Sequence, residues 1–109
     1  MRYKIPPKRR PSGTMNGLEK RYAELLEMQK KAGEILDYKF ESIKFKLANN
    51  TYYTPDFMVI YPDRIDFHET KGFWHDDARI KIKVAARTFE EFGFVAVQWK
   101  KKAWIFEEF

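Results

Sequence analysis

Apolar residues return every three to four positions between Asn16 and about Lys31. Leu18, Tyr22, Leu25 and Leu26, joined by Gln29, fall within one face at about 100° per residue, which predicts a helix. Gly33 marks its stop. The period then changes. "EILDYKFESIKFKL" carries stretches of apolar and polar alternation and predicts one long strand or two joined strands. "ANN" fits a hairpin loop, "TYYTPDFMVIY" the next strand, Pro62-Asp63 a turn back, and "RIDFHET" a third strand. A second helix is expected after Asp76 and Asp77, either of which could cap it. It aligns Ala78, Ile82, Ala85, Ala86, Phe89 and Phe92 on one face and ends before Gly93. "FVAVQW", a Lys-rich turn and "AWIFEEF" complete a final strand pair. Helix, three strands, helix and two strands predict an α/β fold, a mixed sheet of about four to five strands flanked by two helices. The strand–helix–strand crossover should make the third and fourth strands parallel.

Composition adds three constraints. The 109 residues suit one domain with a modest core, which an aromatic share of 17% helps to fill. Cysteine is absent, which excludes disulfides and thiolate metal sites. The net charge of +5 is local: residues 1–14 hold Arg2, Lys4, Lys8, Arg9 and Arg10 with no acid, and elsewhere 16 basic residues balance 16 acidic ones. The expected organisation is a basic, Pro-rich arm over 1–14 followed by one domain over 15–109. A polyanion is the natural partner of such an arm, and Lys8, Arg9 and Arg10 are its candidate DNA contacts; a solubilising tail is the plainer alternative. No apolar run is long enough to span a bilayer, and none follows the basic N-terminus as a secretory signal requires. A cytoplasmic protein with no membrane partner is the expectation.

The candidate chemistry lies in "YTPDFMVIYPDRIDFHETKGFW". A turn centred near 62–63 sets Asp56 and Glu69 roughly opposite one another on paired strands. Like charges facing each other across strands are destabilising, and a divalent cation between them would reverse that cost. Oxygen ligands of this kind suit Mg²⁺, which takes one or two carboxylates and keeps several waters. Lys71, two residues past Glu69, points to the same face and could steady a water or a phosphate's developing charge. An isolated E-x-K is usually a solvated strand edge; combined with "TPD" at hairpin spacing and a following Gly, the set points to metal-assisted phosphodiester hydrolysis. Glu19 has two readings, a capping box with Asn16 or an acid leaning over the sheet toward this centre.

"GLE" opening the first helix, "YTPDF" in mid-chain and "ETKGFW" followed by acids and a basic helix resemble the endonuclease I type of phage Holliday-junction resolvase. That type belongs to the PD-(D/E)XK nuclease superfamily. The likeness runs from about Gly17 to Arg79 and is most specific over residues 51–77. It implies a restriction-endonuclease-like fold in which Asp56, Glu69 and the Thr70 backbone carbonyl bind metal and Lys71 is the catalytic lysine. Glu19 would be the acid from the first helix and would serve a second ion. It further implies Mg²⁺, with Mn²⁺ able to substitute, one or two ions per site, and DNA cleavage leaving a 5′-phosphate. The partners implied are branched DNA and a second copy of the chain, with no small-molecule substrate, in a host bacterial cytoplasm if the chain is phage-encoded. The short "KLANNTYY" connection reads as a local hairpin, whereas those resolvases exchange segments between subunits. A transposon-end, restriction-like or nicking nuclease of the same fold, or a non-catalytic DNA-binding protein, are the alternatives.

Secondary expectations surround this centre. His68 should face the opposite side of its strand as a packed or edge residue. His75 could touch a phosphate, and Gln98 could reach toward the metal site from the parallel strand. Arg79, Lys83 and Arg87 repeat at helical spacing and could track a DNA backbone, or form a solvated face. Ile80 and Val84, off the core stripe, are the hint of a subunit interface.

Overall fold

The computed structural model describes residues 13–74 and 76–109. Helix α1 spans Gly17–Lys31, and β1 (Asp37–Phe40), β2 (Phe45–Ala48), β3 (Thr51–Tyr53), β4 (Phe57–Ile60) and β5 (Ile65–Lys71) follow. Helix α2 (Asp76–Thr88) then leads to β6 (Gly93–Lys100) and β7 (Ala103–Glu108). The architecture is the expected α/β fold. A five-stranded mixed sheet in the order β1-β4-β5-β6-β7 pairs β5 and β6 in parallel and the other neighbours antiparallel.

Two apparently continuous runs change sheets midway. Glu41 takes a positive φ of 47°, which ends β1, so β2 does not extend it. Thr54-Pro55-Asp56 likewise separates β3 from β4. β2 and β3 form their own hairpin through Asn49-Asn50, outside the main sheet. Alternation reports which face a side chain takes, and the same alternation continues after a bend into another sheet.

Each face of the main sheet has its own core. On one side α1 lays Tyr22 and Leu26 over Phe57, Val59, Val95 and Val97. On the other, Ile82 and Ala85 of α2 meet Phe67 and Phe94 together with Phe45 and Tyr53 of the small hairpin. Phe45 sits 4.9 Å from Phe67, 4.6 Å from Phe89 and 5.6 Å from Phe94, ring centroid to centroid. That aromatic cluster fastens the hairpin. Between the two cores β5 is central and buried from Asp66 to Thr70, polar residues included.

α1 starts with a reciprocal cap: Asn16 Oδ1 accepts from the Glu19 amide at 2.7 Å, and Glu19 Oε1 accepts from the Asn16 amide at 2.8 Å. Gly33, with φ +80°, follows its end. α2 begins at Asp76, so Asp77 lies inside its first turn and not ahead of it. It also ends at Thr88, short of Gly93; Phe89 and Phe92 reach the core from the connecting turn. Gly93 opens β6 directly against Asp66, and a Cβ there would lie 2.2 Å from Asp66 Oδ1. Lys101 and Lys102 form the β6–β7 turn with φ 50° and 61°, the both-positive pattern of a type I′ hairpin.

Candidate active site

The bend that separates β3 from β4 places Asp56 one residue before β4, where the register Phe57↔His68 continues to the level of Glu69. The Asp56 amide donates to Glu69 Oε1 at 3.1 Å, and the amide of Glu41 donates to the Asp56 carbonyl at 2.9 Å. Asp56 Oδ2 accepts from the Thr70 amide at 2.9 Å and from the Thr70 hydroxyl at 2.8 Å. Lys71 Nζ lies 3.0 Å from Glu69 Oε2 and 5.7 Å from the Trp74 ring centroid. Asp56, Glu69 and Lys71 thus come together at the C-terminal end of β5.

Tyr53 belongs to this centre and was not among the expected residues. Its buried hydroxyl donates to Glu69 Oε1 at 3.1 Å from the separate hairpin. The signal available in the sequence was weak: a tyrosine three residues before Asp56, on a run that reads as apolar alternation.

Burial drives the electrostatics. Loss of water, then the charge of Glu69, pushes the Asp56 carboxyl up to about 8, against the bonds from Thr70 that lower it; Glu19 raises it further. Burial also raises Glu69, opposed by the Lys71 ammonium and by the bonds from Asp56 and Tyr53. Burial thus works against charging both members of the pair, and the Lys71 ammonium offsets the charge of Glu69 directly. Burial and the Glu69 charge push the Tyr53 phenol up, keeping it a neutral donor.

The donor set fits a hard divalent cation in kind. Two carboxylates are held together at an electrostatic cost, and among the described residues Oδ1 of Asp56 takes no hydrogen bond. Among those residues no three His, Asp or Glu side chains converge as a ready cage. A site of two carboxylates completed by waters matches the habit of Mg²⁺. Thr70 enters through its amide and hydroxyl, which orient Asp56.

Glu19 meets its capping-box reading. Its side chain closes the capping box, and it is only 4% exposed, with its charge felt at Asp56. A hollow of about 470 Å³ opens beside Glu69 and Lys71, walled by Tyr52, Tyr53, Thr54, Asp77, Ala78 and Lys81. Gln98 is in register with Lys71 on the same face of the sheet, and it does not line that hollow.

Other expected residues lie elsewhere. His68 is buried on the α1 face, its Nδ1 2.6 Å from the Tyr22 hydroxyl, and burial lowers its pKa to about 4. Arg79 does not present a free guanidinium to a DNA backbone: it makes a two-pronged pair with Glu107 and lies 4.8 Å from the Trp74 ring centroid. An acid 28 residues away on β7 is brought beside it by the crossover. Lys83 and Arg87 are exposed and flank a shallow hollow with Phe109. Ile80 is 58% and Val84 39% exposed. Lys8, Arg9, Arg10 and His75 lie outside the described residues.

Among the described residues no helix is long and apolar enough to cross a membrane. Compared with models of known protein families, with curated proteins and with solved structures, the chain matches none.

Proposed function

We propose that this chain is a metal-dependent DNA endonuclease of the PD-(D/E)XK kind, selective for branched DNA and leaving a 5′-phosphate. One observation carries the reading: the half-buried Asp56, one residue before β4, and the buried Glu69, on the neighbouring β5, are held together at an electrostatic cost, with a lysine 3.0 Å from one of them. A purely structural hairpin gains nothing from that arrangement. A divalent ion, Mg²⁺ or Mn²⁺, held by Asp56 and Glu69 would polarise the phosphate and acidify a water. The chain's own groups do the rest. Thr70 fixes the rotamer of Asp56, and Tyr53 with the Asp56 amide fixes that of Glu69. The Lys71 ammonium, partly exposed on the same side, faces the charge that builds on the phosphate. The backbone carbonyl of Thr70 as a further ligand, and Glu19 as a ligand to a second ion, follow from the resemblance and from Glu19's electrostatic reach to Asp56.

Selectivity for a four-way junction needs two centres, one for each strand, and a symmetric dimer supplies them. The exposed Ile80 and Val84 offer such a dimer an apolar patch. The test is cleavage of an end-labelled four-way junction beside a linear duplex of the same arm sequence, with Mg²⁺ and with EDTA. Paired, Mg²⁺-dependent cuts near the branch are expected. Equal nicking of both DNAs would keep the nuclease and remove the resolvase, and binding without cleavage in any divalent metal would remove the enzyme.

A further inference from the structure

The β6–β7 turn carries two lysines where asparagine and glycine fit the backbone better. Both φ angles are positive, at 50° for Lys101 and 61° for Lys102, a conformation that residues with a Cβ resist. Lys100 precedes them, so three adjacent exposed ammonium groups repel one another at a tip only two residues wide. The fold draws no compensation from them: among the described residues none of the three makes an ion pair or a side-chain hydrogen bond. A backbone outlier combined with concentrated like charge is the kind of local cost that function retains.

The position of the turn gives the charge a use. β5 and β6 are parallel, with Lys71 level with Gln98, so the strand ends that carry the candidate centre and the lysine tip point the same way. Two residues along and one strand across put the Lys100 backbone about 8 Å from that of Lys71 on ideal sheet spacings. The first turns of α1 close the other side of this end. The Arg21 guanidinium lies 4.9 Å from the ring centroid of the exposed Trp99. Trp99 is braced in turn by Trp104, 5.1 Å away across the hairpin. The result is a basic prong two residues past the level of Lys71.

We infer that the β6–β7 tip is a phosphate clamp: Lys100, Lys101 and Lys102, with Arg21 on its Trp99 platform, hold the backbone of the DNA arm flanking the bond to be cut. The inference rests on the nuclease reading for the identity of the polyanion, and it assigns the binding to the β6–β7 turn and not to the outer face of α2.

The test is the double variant Lys101→Asn/Lys102→Gly, which gives the turn its preferred residues and so preserves the fold. Anisotropy of a labelled four-way junction and of a linear duplex, in EDTA over a salt series, reads affinity without cleavage. The expected result is about a tenfold loss of affinity at low salt and a slope of log K against log salt shallower by about 2. The melting temperature should stay equal or rise. Unchanged affinity and slope, with wild-type cleavage intact, would overturn the clamp and leave the nuclease. The expected loss in a chain that cuts nothing would keep the clamp and remove the nuclease. No DNA binding by the wild-type chain would overturn both.

Discussion

Replacing Asp56 by asparagine separates two properties of that side chain. Asparagine keeps an oxygen to accept from the Thr70 amide and hydroxyl, and it removes the charge that burial and Glu69 make unfavourable. In the native chain the Asp56 carboxyl titrates near 8, against an ordinary value of 3.8. The folded state therefore keeps a proton that the unfolded state releases. Stability from this group is fully present below pH 3.8 and is lost as the pH rises toward 8. At pH 7 the loss is on the order of 4 kcal/mol, at about 1.4 kcal/mol per pH unit. Asp56→Asn does not suffer it. Urea unfolding in EDTA should find the two chains about equally stable near pH 4, with the variant ahead by a few kcal/mol near pH 8. Excess Mg²⁺ should raise the stability of the wild type and leave that of Asp56→Asn unchanged. A wild-type–variant difference that stays flat with pH would refute the reasoning: Asp56 would not be held up by its surroundings, and the pair would have no need of a cation.

Lys71→Ala should slow single-turnover cleavage by about 10²- to 10³-fold while DNA affinity in EDTA changes only a few-fold; an unimpaired rate would take the lysine out of the chemistry. Wild-type cleavage should rise with pH up to about 8, because Asp56 must lose its proton to act as a ligand. Glu19→Gln keeps the acceptor for the Asn16 amide but removes a charge that raises Asp56, so the rising limb should move to lower pH. An unmoved limb would confine Glu19 to the cap. Gly93→Ala puts a methyl group 2.2 Å from Asp66 Oδ1, on a buried side chain bonded to Arg64, and should cost about 1–3 kcal/mol in thermal unfolding. An unchanged midpoint would mean that Asp66 turns aside freely.

Much of the centre was legible because local geometry determines it. Thirteen residues about a Pro-Asp turn place Asp56 opposite Glu69, and an interval of two puts Lys71 on the same face; both follow from strand periodicity. Both helices and the parallel crossover were legible for similar reasons. A division of "EILDYKFESIKFKL" into two strands was one of its two readings, but its place at Glu41 and the break at Thr54-Pro55-Asp56 were not legible, because alternation resumes unaltered on the far side of each bend. Long-range partners were also hidden. Nothing near Arg79 indicates Glu107, and nothing near Tyr53 indicates Glu69; those contacts exist only once the sheet order brings distant strands together. Glu19 was legible as a cap because Asn16 and Glu19 stand at the capping-box interval of three, a purely local signal that the structure reproduces.

The β2–β3 hairpin has no strand pairing to the main sheet, yet it delivers the Tyr53 hydroxyl to Glu69. Side-chain packing, chiefly around Phe45, is what keeps it docked. A flap held in that way swings free at a lower energy than the strands beneath it. Each such breathing event withdraws a donor from Glu69, so the centre is latched by an element held through side chains alone. Whatever steadies that flap, a nucleic-acid arm lying across Tyr52 included, also readies the carboxylate beneath it.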